Sequence, residues 1–195
     1  MVPKSQNAAT PPGSGKGLKL RLIAMARRVL ERDGLEALTL RAAARAAGVS
    51  HMAPYRHFKD KDELLAAVAE EGFRELAAYM DTMAASGDPR ASGIAYVNFA
   101  LDNPALYRLM FGAGLPSPAR FPELFAAGAE AFRHSLPASG TGVLDTVSGE
   151  TPASAIARWS IVHGLASLAI DGRVTLPPKG PERDARIAAV LQLLG

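Results

Sequence analysis

From Thr39 to Lys61 the chain reads TLRAAARAAGVSHMAPYRHFKDK. This window concentrates hydrogen-bonding side chains: the hydroxyls of Thr39, Ser50 and Tyr55, the imidazoles of His51 and His57, the guanidinium groups of Arg41 and Arg56, and the ammonium of Lys61. Nothing in their order resembles a Gly-rich phosphate loop, a nucleophile elbow or a paired-His metal motif. They are mainly donors, and donors of this kind suit phosphate oxygens and the edges of nucleic-acid bases. Met52 and Ala53 lie among them and offer apolar contact, which suits a thymine methyl.

The elements that would position these groups are short. Ile23, Ala26 and Leu30, with Leu22 and Val29 beside them, give a first helix from about Lys16, and Gly34 is its left-handed stop. Thr39 reads as the N-cap of a helix over about 40–47, whose inner face is Leu40, Ala43, Ala44 and Ala47. Three alanines there let another helix approach closely. Gly48-Val49-Ser50 is a tight turn with a buried hydrophobe at its middle. Ser50 is expected to cap a third helix over about 51–58, with His51, Met52, Tyr55 and Arg56 on one face. Pro54 lacks an amide, so it removes one early helix bond and tightens that first turn. Asp60 caps a fourth helix, Glu63 completes a box-like start, and the helix continues to about Ala85. Two short helices about a Gly-containing turn are the layout of a helix-turn-helix.

The stretch from Leu18 to Val68 resembles the TetR family of regulators. The threonine cap, the short helix, Gly48-Val49-Ser50, Tyr55-Arg56-His57-Phe58 and Lys61-Asp62-Glu63-Leu64-Leu65 carry the resemblance. It implies an all-α chain: an N-terminal three-helix helix-turn-helix domain for DNA, then a helical domain for ligand binding and dimerisation. The expected division is a disordered arm over 1–16, the DNA-binding domain over 17–62 and the effector and dimerisation domain over 63–195. The resemblance gives Thr39, Ser50, Tyr55, His57 and Lys61 to backbone positioning and Arg41, His51, Met52 and Ala53 to base edges, with Arg56 open to either. Each has a plainer reading. Thr39 and Ser50 are caps with or without DNA, Tyr55 is a packing residue, His57 is a satisfied surface histidine, and Arg45 is a solvated or ion-paired side chain.

Helices are also expected near 90–102, 104–113, 122–135, 152–171 and 182–194, and no reading is offered for 136–151 beyond one turn at Val143 to Val147. Trp159 to Ala166 resembles the Trp…His-Gly signature of a subgroup of TetR-type C-terminal domains, and Asn103 to Gly112 is similar to the same subgroup. Trp159 and His163 are i and i+4 and stack on one face. They either border an effector cavity or form a core tryptophan with a hydrogen-bonded histidine. Gly164 costs about 1 kcal/mol mid-helix, which a close helix contact would explain. Tyr96, Phe99, Tyr107, Met110, Phe111, Phe125 and Phe132 supply aromatic and soft apolar surface. With Trp159 and His163 they are the expected pocket for a small apolar or aromatic effector, or plain core. Ile187, Val190, Leu191 and Leu194 form a stripe, and the last two helices resemble the family's homodimer interface. The resemblance thus implies a regulator on a palindromic double-stranded DNA operator, more commonly a repressor released by the effector through a population shift, with an activator as the alternative. The absence of a read span or signal peptide makes cytoplasmic the expected location.

Bulk properties agree. The 195-residue chain is 48% hydrophobic, enough for a real core. It has no cysteine, which excludes disulfides and thiolate metal sites. Residues 1–65 carry 12 Lys or Arg against 6 Asp or Glu, a net +6, while the rest is net −3, giving the total of +3. A basic head on a mildly acidic body points that head at a polyanion. No membrane span, signal peptide, metal site or cofactor motif is read, and Glu130 with His134 is too few ligands for a metal. The rival readings are an enzyme and a helical small-molecule binding protein without operator binding.

Overall fold

The computed structural model describes residues 15–112, 115, 120–133 and 153–193, and every regular element among them is helical. Most of the expected N-terminal arm, the segment 113–118 apart from 115, the turn at 143–147, His134 and Leu194 lie outside the described residues. The chain divides into two compact units, Met1–Leu64 and Leu65–Gly195.

In the first unit, α1 (Gly15–Asp33) buries Leu22, Ile23, Ala26, Val29 and Leu30. The stripe is complete, and α1 packs on α2 (Leu40–Ala46). Gly34 ends α1 at φ 83°, a conformation that favours glycine. The Thr39 hydroxyl accepts the Ala42 amide at 3.0 Å and caps α2. Leu40, Ala43, Ala44 and Ala47 are all buried, as the alanine face requires for close approach. α2 ends in a Schellman arrangement, in which Val49 N–H reaches the Ala44 carbonyl and Gly48 N–H the Arg45 carbonyl, both at 3.1 Å. Val49 is only half-buried, not the fully buried hydrophobe expected.

The expected third helix over 51–58 is corrected. The structure has turns at 51–52 and a single 3-10 turn at Pro54–Arg56, preceded by Ala53 without a side-chain cap. Ser50 therefore does not cap an α-helix there; its carbonyl accepts the Ala53 amide at 3.0 Å. Pro54, buried at the first position of the turn, has no N–H for an α-type bond; Arg56 and His57 bond back three residues, to Ala53 and Pro54, and Phe58 bonds back four, to the Pro54 carbonyl. α3 (Lys61–Ala84) opens as expected, with Asp60 Oδ1 accepting the Glu63 amide at 3.0 Å. The Glu63 carboxylate in return accepts from Lys59 N–H, one residue earlier than in the usual box. α3 runs on into the second unit.

There α4 (Ala91–Asp102) is buried on every side from Ile94 to Ala100, which makes it the central helix. It packs against α5 (Pro104–Phe111), α7 (Ala153–Ile170) and α8 (Pro181–Gln192). Gly93 lets α8 in: a Cβ there would lie 2.7 Å from Leu191 Cδ1. Asn98 is a buried polar residue and is satisfied on both sides. It donates to Asp184 Oδ1 at 2.7 Å and accepts from Arg183 at 3.3 Å, so α8 is latched to α4. Ile187 is fully buried while Val190 and Leu191 are half-buried. α6 (Pro122–Arg133) contributes Leu124, Ala131 and Phe132 to the core.

Candidate functional sites in the two units

The recognition segment is held from behind and open in front. Pro54 and Phe58 are buried anchors, at either end of the 3-10 turn. Between and before them His51, Met52, Tyr55 and Arg56 are exposed, Met52 to 58% and Tyr55 to 46%. Thr39, Arg41 and Ser50 are exposed too, and Ala53, His57 and Lys61 are half-buried. An exposed methionine and an exposed tyrosine side by side are not core residues that have missed their place. The backbone is fixed by the two anchors, and the side chains are left to face outward. Lys61 already has a task within the unit, since its Nζ donates to the Leu35 carbonyl at 3.4 Å; an ammonium has two further N–H groups to offer.

Two basic residues of α1 join this region that sequence reasoning did not single out. Lys19 lies over the Phe58 ring, with Nζ 5.7 Å from its centroid, and Arg21 is the nearest group to a Cβ built on Gly48. Both are exposed. Only the packing of α1 reveals them, because their separation in sequence from the 50–58 segment carries no signal.

The second unit holds a buried aromatic cluster. Phe73, Tyr96, Tyr107, Phe111, Phe132, Trp159 and His163 stand ring against ring at centroid distances from 4.9 Å for Tyr107–Phe111 to 6.5 Å for Phe73–Phe132. Many of the contacts are edge-on, the arrangement favoured by aromatic quadrupoles. At one end lies a polar knot. Tyr107 Oη is 2.7 Å and Tyr96 Oη 3.0 Å from His163 Nδ1, and Tyr107 Oη is 3.5 Å from Ser167 Oγ. Burial pushes both phenols above the ordinary tyrosine range and pushes the imidazole below the ordinary histidine range. At neutral pH the knot is therefore uncharged.

Beside the cluster is a cavity of about 190 Å³ lined by Phe73, Met110, Phe111, Leu115, Leu124, Phe125 and Trp159. Of the residues expected to line a pocket, Met110, Phe111, Phe125 and Trp159 stand around it. Tyr96, Tyr107 and His163 form the adjoining knot, and Phe99 is buried on α4 away from the cavity wall. Phe73, Leu115 and Leu124 were not foreseen as lining. Phe73 belongs to the long helix α3, whose apolar positions look like ordinary core in sequence. At Gly164 a Cβ would meet nothing within 4 Å among the described residues, so none of the described helices of this chain supplies the close contact expected there. No cluster of three or more metal-ligating side chains occurs among the described residues, and none of their helices is long and apolar enough to cross a membrane.

Comparison with known proteins places both units. Residues 22–68 match the family model described as bacterial regulatory proteins, tetR family, and residues 89–194 match the one described as tetracyclin repressor-like, C-terminal domain. The HTH-type transcriptional regulators Rv1816 of Mycobacterium tuberculosis and Mb1846 of Mycobacterium bovis are each 32% identical over 106 residues. That match covers 51% of this chain and 45% of either relative, so the chain spans under half the length of these curated proteins. Among solved structures, a protein of unknown function from Rhodococcus sp. RHA1 is similar with TM-score 0.71 and 32% identity, covering 95% of this chain and 96% of that one. The putative regulatory protein SCO4313 is similar with TM-score 0.64 and 27% identity, over 95% and 98% of the two chains.

Proposed function

This chain belongs to the TetR family of bacterial regulatory proteins, which are DNA-binding transcriptional regulators and not enzymes, and on that premise we propose that it is a cytoplasmic repressor whose dimer binds a palindromic operator and leaves it when a small molecule binds the second unit. The observation that carries the DNA reading is the outward-facing set Thr39, Arg41, Ser50, His51, Met52, Tyr55 and Arg56 on a backbone pinned by Pro54 and Phe58. Water satisfies such groups in the free protein, so exchanging water for phosphate and base edges costs little rearrangement. Ala53, His57 and Lys61 border the same surface. In this reading the hydroxyls, His57 and Lys61 position the backbone, while Arg41, His51, Met52 and Ala53 read bases.

The dimer reading rests on α7. Gly164 weakens the helix by about 1 kcal/mol relative to alanine and has open space where its Cβ would be. Ile156 and Leu168 are large apolar side chains left 49% and 47% exposed on the same helix. A second copy packed on α7 and α8 accounts for both, and a two-fold dimer matches a palindromic site. The effector shifts operator affinity by the difference in its own affinity for the two states of the body, with α3 as the continuous path between units.

The test is a selection of randomised duplexes against the purified protein, with the Arg41→Ala/Tyr55→Ala double variant as control. Enrichment of a palindrome by the native chain, loss of it by the variant and weakening by added salt are the expected results. A folded dimer that enriches no sequence at low salt, with or without cell extract, sinks the operator reading and leaves a helical small-molecule binding protein.

A further inference from the structure

The first half of α1 lies along the recognition segment. A Cβ built on Gly15 would stand 3.6 Å from His57 Cε1. Lys19 Nζ is 5.7 Å from the centroid of the buried Phe58 ring. A guanidinium nitrogen of Arg21 is 3.7 Å from the Cβ position of Gly48, whose φ of 65° favours a residue without a side chain there. Phe58 closes the segment and Gly48 sits in the turn that opens it. Helix positions i and i+2 leave the helix on different sides, so the two cations border the segment at its two ends instead of clustering at one.

The charges of these side chains are not used inside the protein. Both side chains are exposed. Among the described residues neither has a carboxylate partner, whereas Arg27 and Arg32, further along the same helix, ion-pair with Glu31 at 2.8 Å and Asp33 at 2.6 Å. No acidic residue precedes Glu31 in the chain, so the sequence offers them no local partner either. What each does touch is uncharged. The Lys19 ammonium stands over a ring, at the outer reach of a cation–π contact, and Arg21 rests against the turn. Such contacts fix where the charged head lies without neutralising it.

Their position decides which anion they meet. Their contacts are with the rear anchor of the segment and its opening turn, behind the exposed Met52 and Tyr55. A segment seated in a groove of DNA has sugar-phosphate walls on either side, so cations at its flanks meet phosphates and not base edges.

We propose that Lys19 and Arg21 are backbone clamps, each taking a DNA phosphate at one end of the recognition segment and setting affinity without reading sequence. The inference rests on the operator reading of the first unit and adds to it two binding residues outside the helix-turn-helix itself. Arg41, His51 and Met52 then choose the site, while Lys19 and Arg21 fix how firmly the segment sits on any duplex.

The test is a salt titration of the full chain on two duplexes, the palindrome recovered by selection and a mixed-sequence duplex of the same length. Lys19→Met and Arg21→Gln remove the charges, and Lys19→Arg and Arg21→Lys keep them. Arg32→Gln, at the opposite end of α1, makes the same change in net charge away from the segment. Lys19→Met and Arg21→Gln are each expected to weaken both duplexes roughly tenfold per protomer near ~0.1 M salt, and to flatten the slope of log affinity against log salt by about 0.9 per protomer. The double variant loses both increments. Base preference in a repeated selection stays as it was, the charge-preserving variants keep the native slope, and Arg32→Gln leaves the slope unchanged.

A native slope in Lys19→Met and Arg21→Gln overturns the proposal while the operator reading stands. An equal flattening in Arg32→Gln also overturns it, because the effect is then one of overall charge. Weakened binding at native slope, not restored by Lys19→Arg or Arg21→Lys, assigns the residues to the packing of α1 and refutes the clamp. A changed base preference makes them base readers and does the same. If the native chain binds neither duplex at low salt, the operator reading fails and the clamp with it.

Discussion

The recognition segment of the first unit and the aromatic cluster of the second use similar side chains in opposite ways. Each contains tyrosine, histidine and a polarisable apolar residue. In the first, Tyr55 and His51 are exposed and water is their partner. In the second, Tyr96, Tyr107 and His163 are partners of one another at 2.7–3.4 Å, and burial has shifted all three away from their charged forms. The difference is one of replaceability. A solvated donor exchanges its partner freely, which suits reversible contact with a polyanion. A buried donor is part of the fold, and its partner is fixed along with it.

The comparison breaks most visibly in the cluster. Phe132→Ala removes a fully buried ring in contact with Phe73, Tyr96, Phe111 and Trp159, and is expected to cost about 3–5 kcal/mol. Urea denaturation measures it; a loss below about 1 kcal/mol would mean that the cluster is loosely packed. In the recognition segment the cost falls on binding. Arg41→Ala is expected to weaken the selected operator by about 1–3 kcal/mol, roughly tenfold to a hundredfold, while stability stays within about 0.5 kcal/mol. Titration of labelled duplex beside a melting curve tests both halves, and a drop in stability matching the drop in affinity would erase the contrast between the regions.

Gly164→Ala sharpens the account of α7. The added methyl enters open space, so helix propensity alone predicts about 1 kcal/mol of stabilisation at dilutions where the chain is single. At higher concentration self-association is expected to weaken. Sedimentation across a dilution series reads both, and unchanged association would move the dimer contact away from Gly164. The mildest perturbation is pH. His163 is held neutral by burial, below its ordinary 6.5. Its contribution is fully present above pH 6.5 and is lost as pH falls from there through the lowered folded value, because the unfolded chain binds the proton first. Thermal melts of the native chain and of His163→Gln between pH 8 and 5 are expected to differ in slope in that window; parallel curves would assign the acid sensitivity elsewhere.

The helical framework was largely legible because its signals are local. Thr39, Gly34 and Asp60 act within one turn of themselves, and the buried stripes of α1 and α2 follow from spacing alone. The 51–58 segment was misjudged as an α-helix because its apolar and polar spacing fits one. Pro54 brings more than a distortion: with its amide missing, Arg56 and His57 bond back three residues and only Phe58 bonds back four, to the Pro54 carbonyl. Gly164 is open for a different reason: a mid-helix glycine announces a close approach without saying to what, and no described helix of this chain supplies it.

The sequence by itself determined the elements, their caps, the basic character of the first unit and the set of side chains around Tyr55, since each depends on neighbours within a few residues. Tertiary structure alone decided that Lys19 and Arg21 flank the recognition turn, that Phe73 from α3 meets Phe111 and Trp159 at one cavity, and that two tyrosines from α4 and α5 close on one imidazole from α7. Those outcomes depend on which of many equally apolar faces meet. Hydrophobic burial is non-directional, so a pattern of apolar spacing commits a face to the interior without naming the residue it will touch.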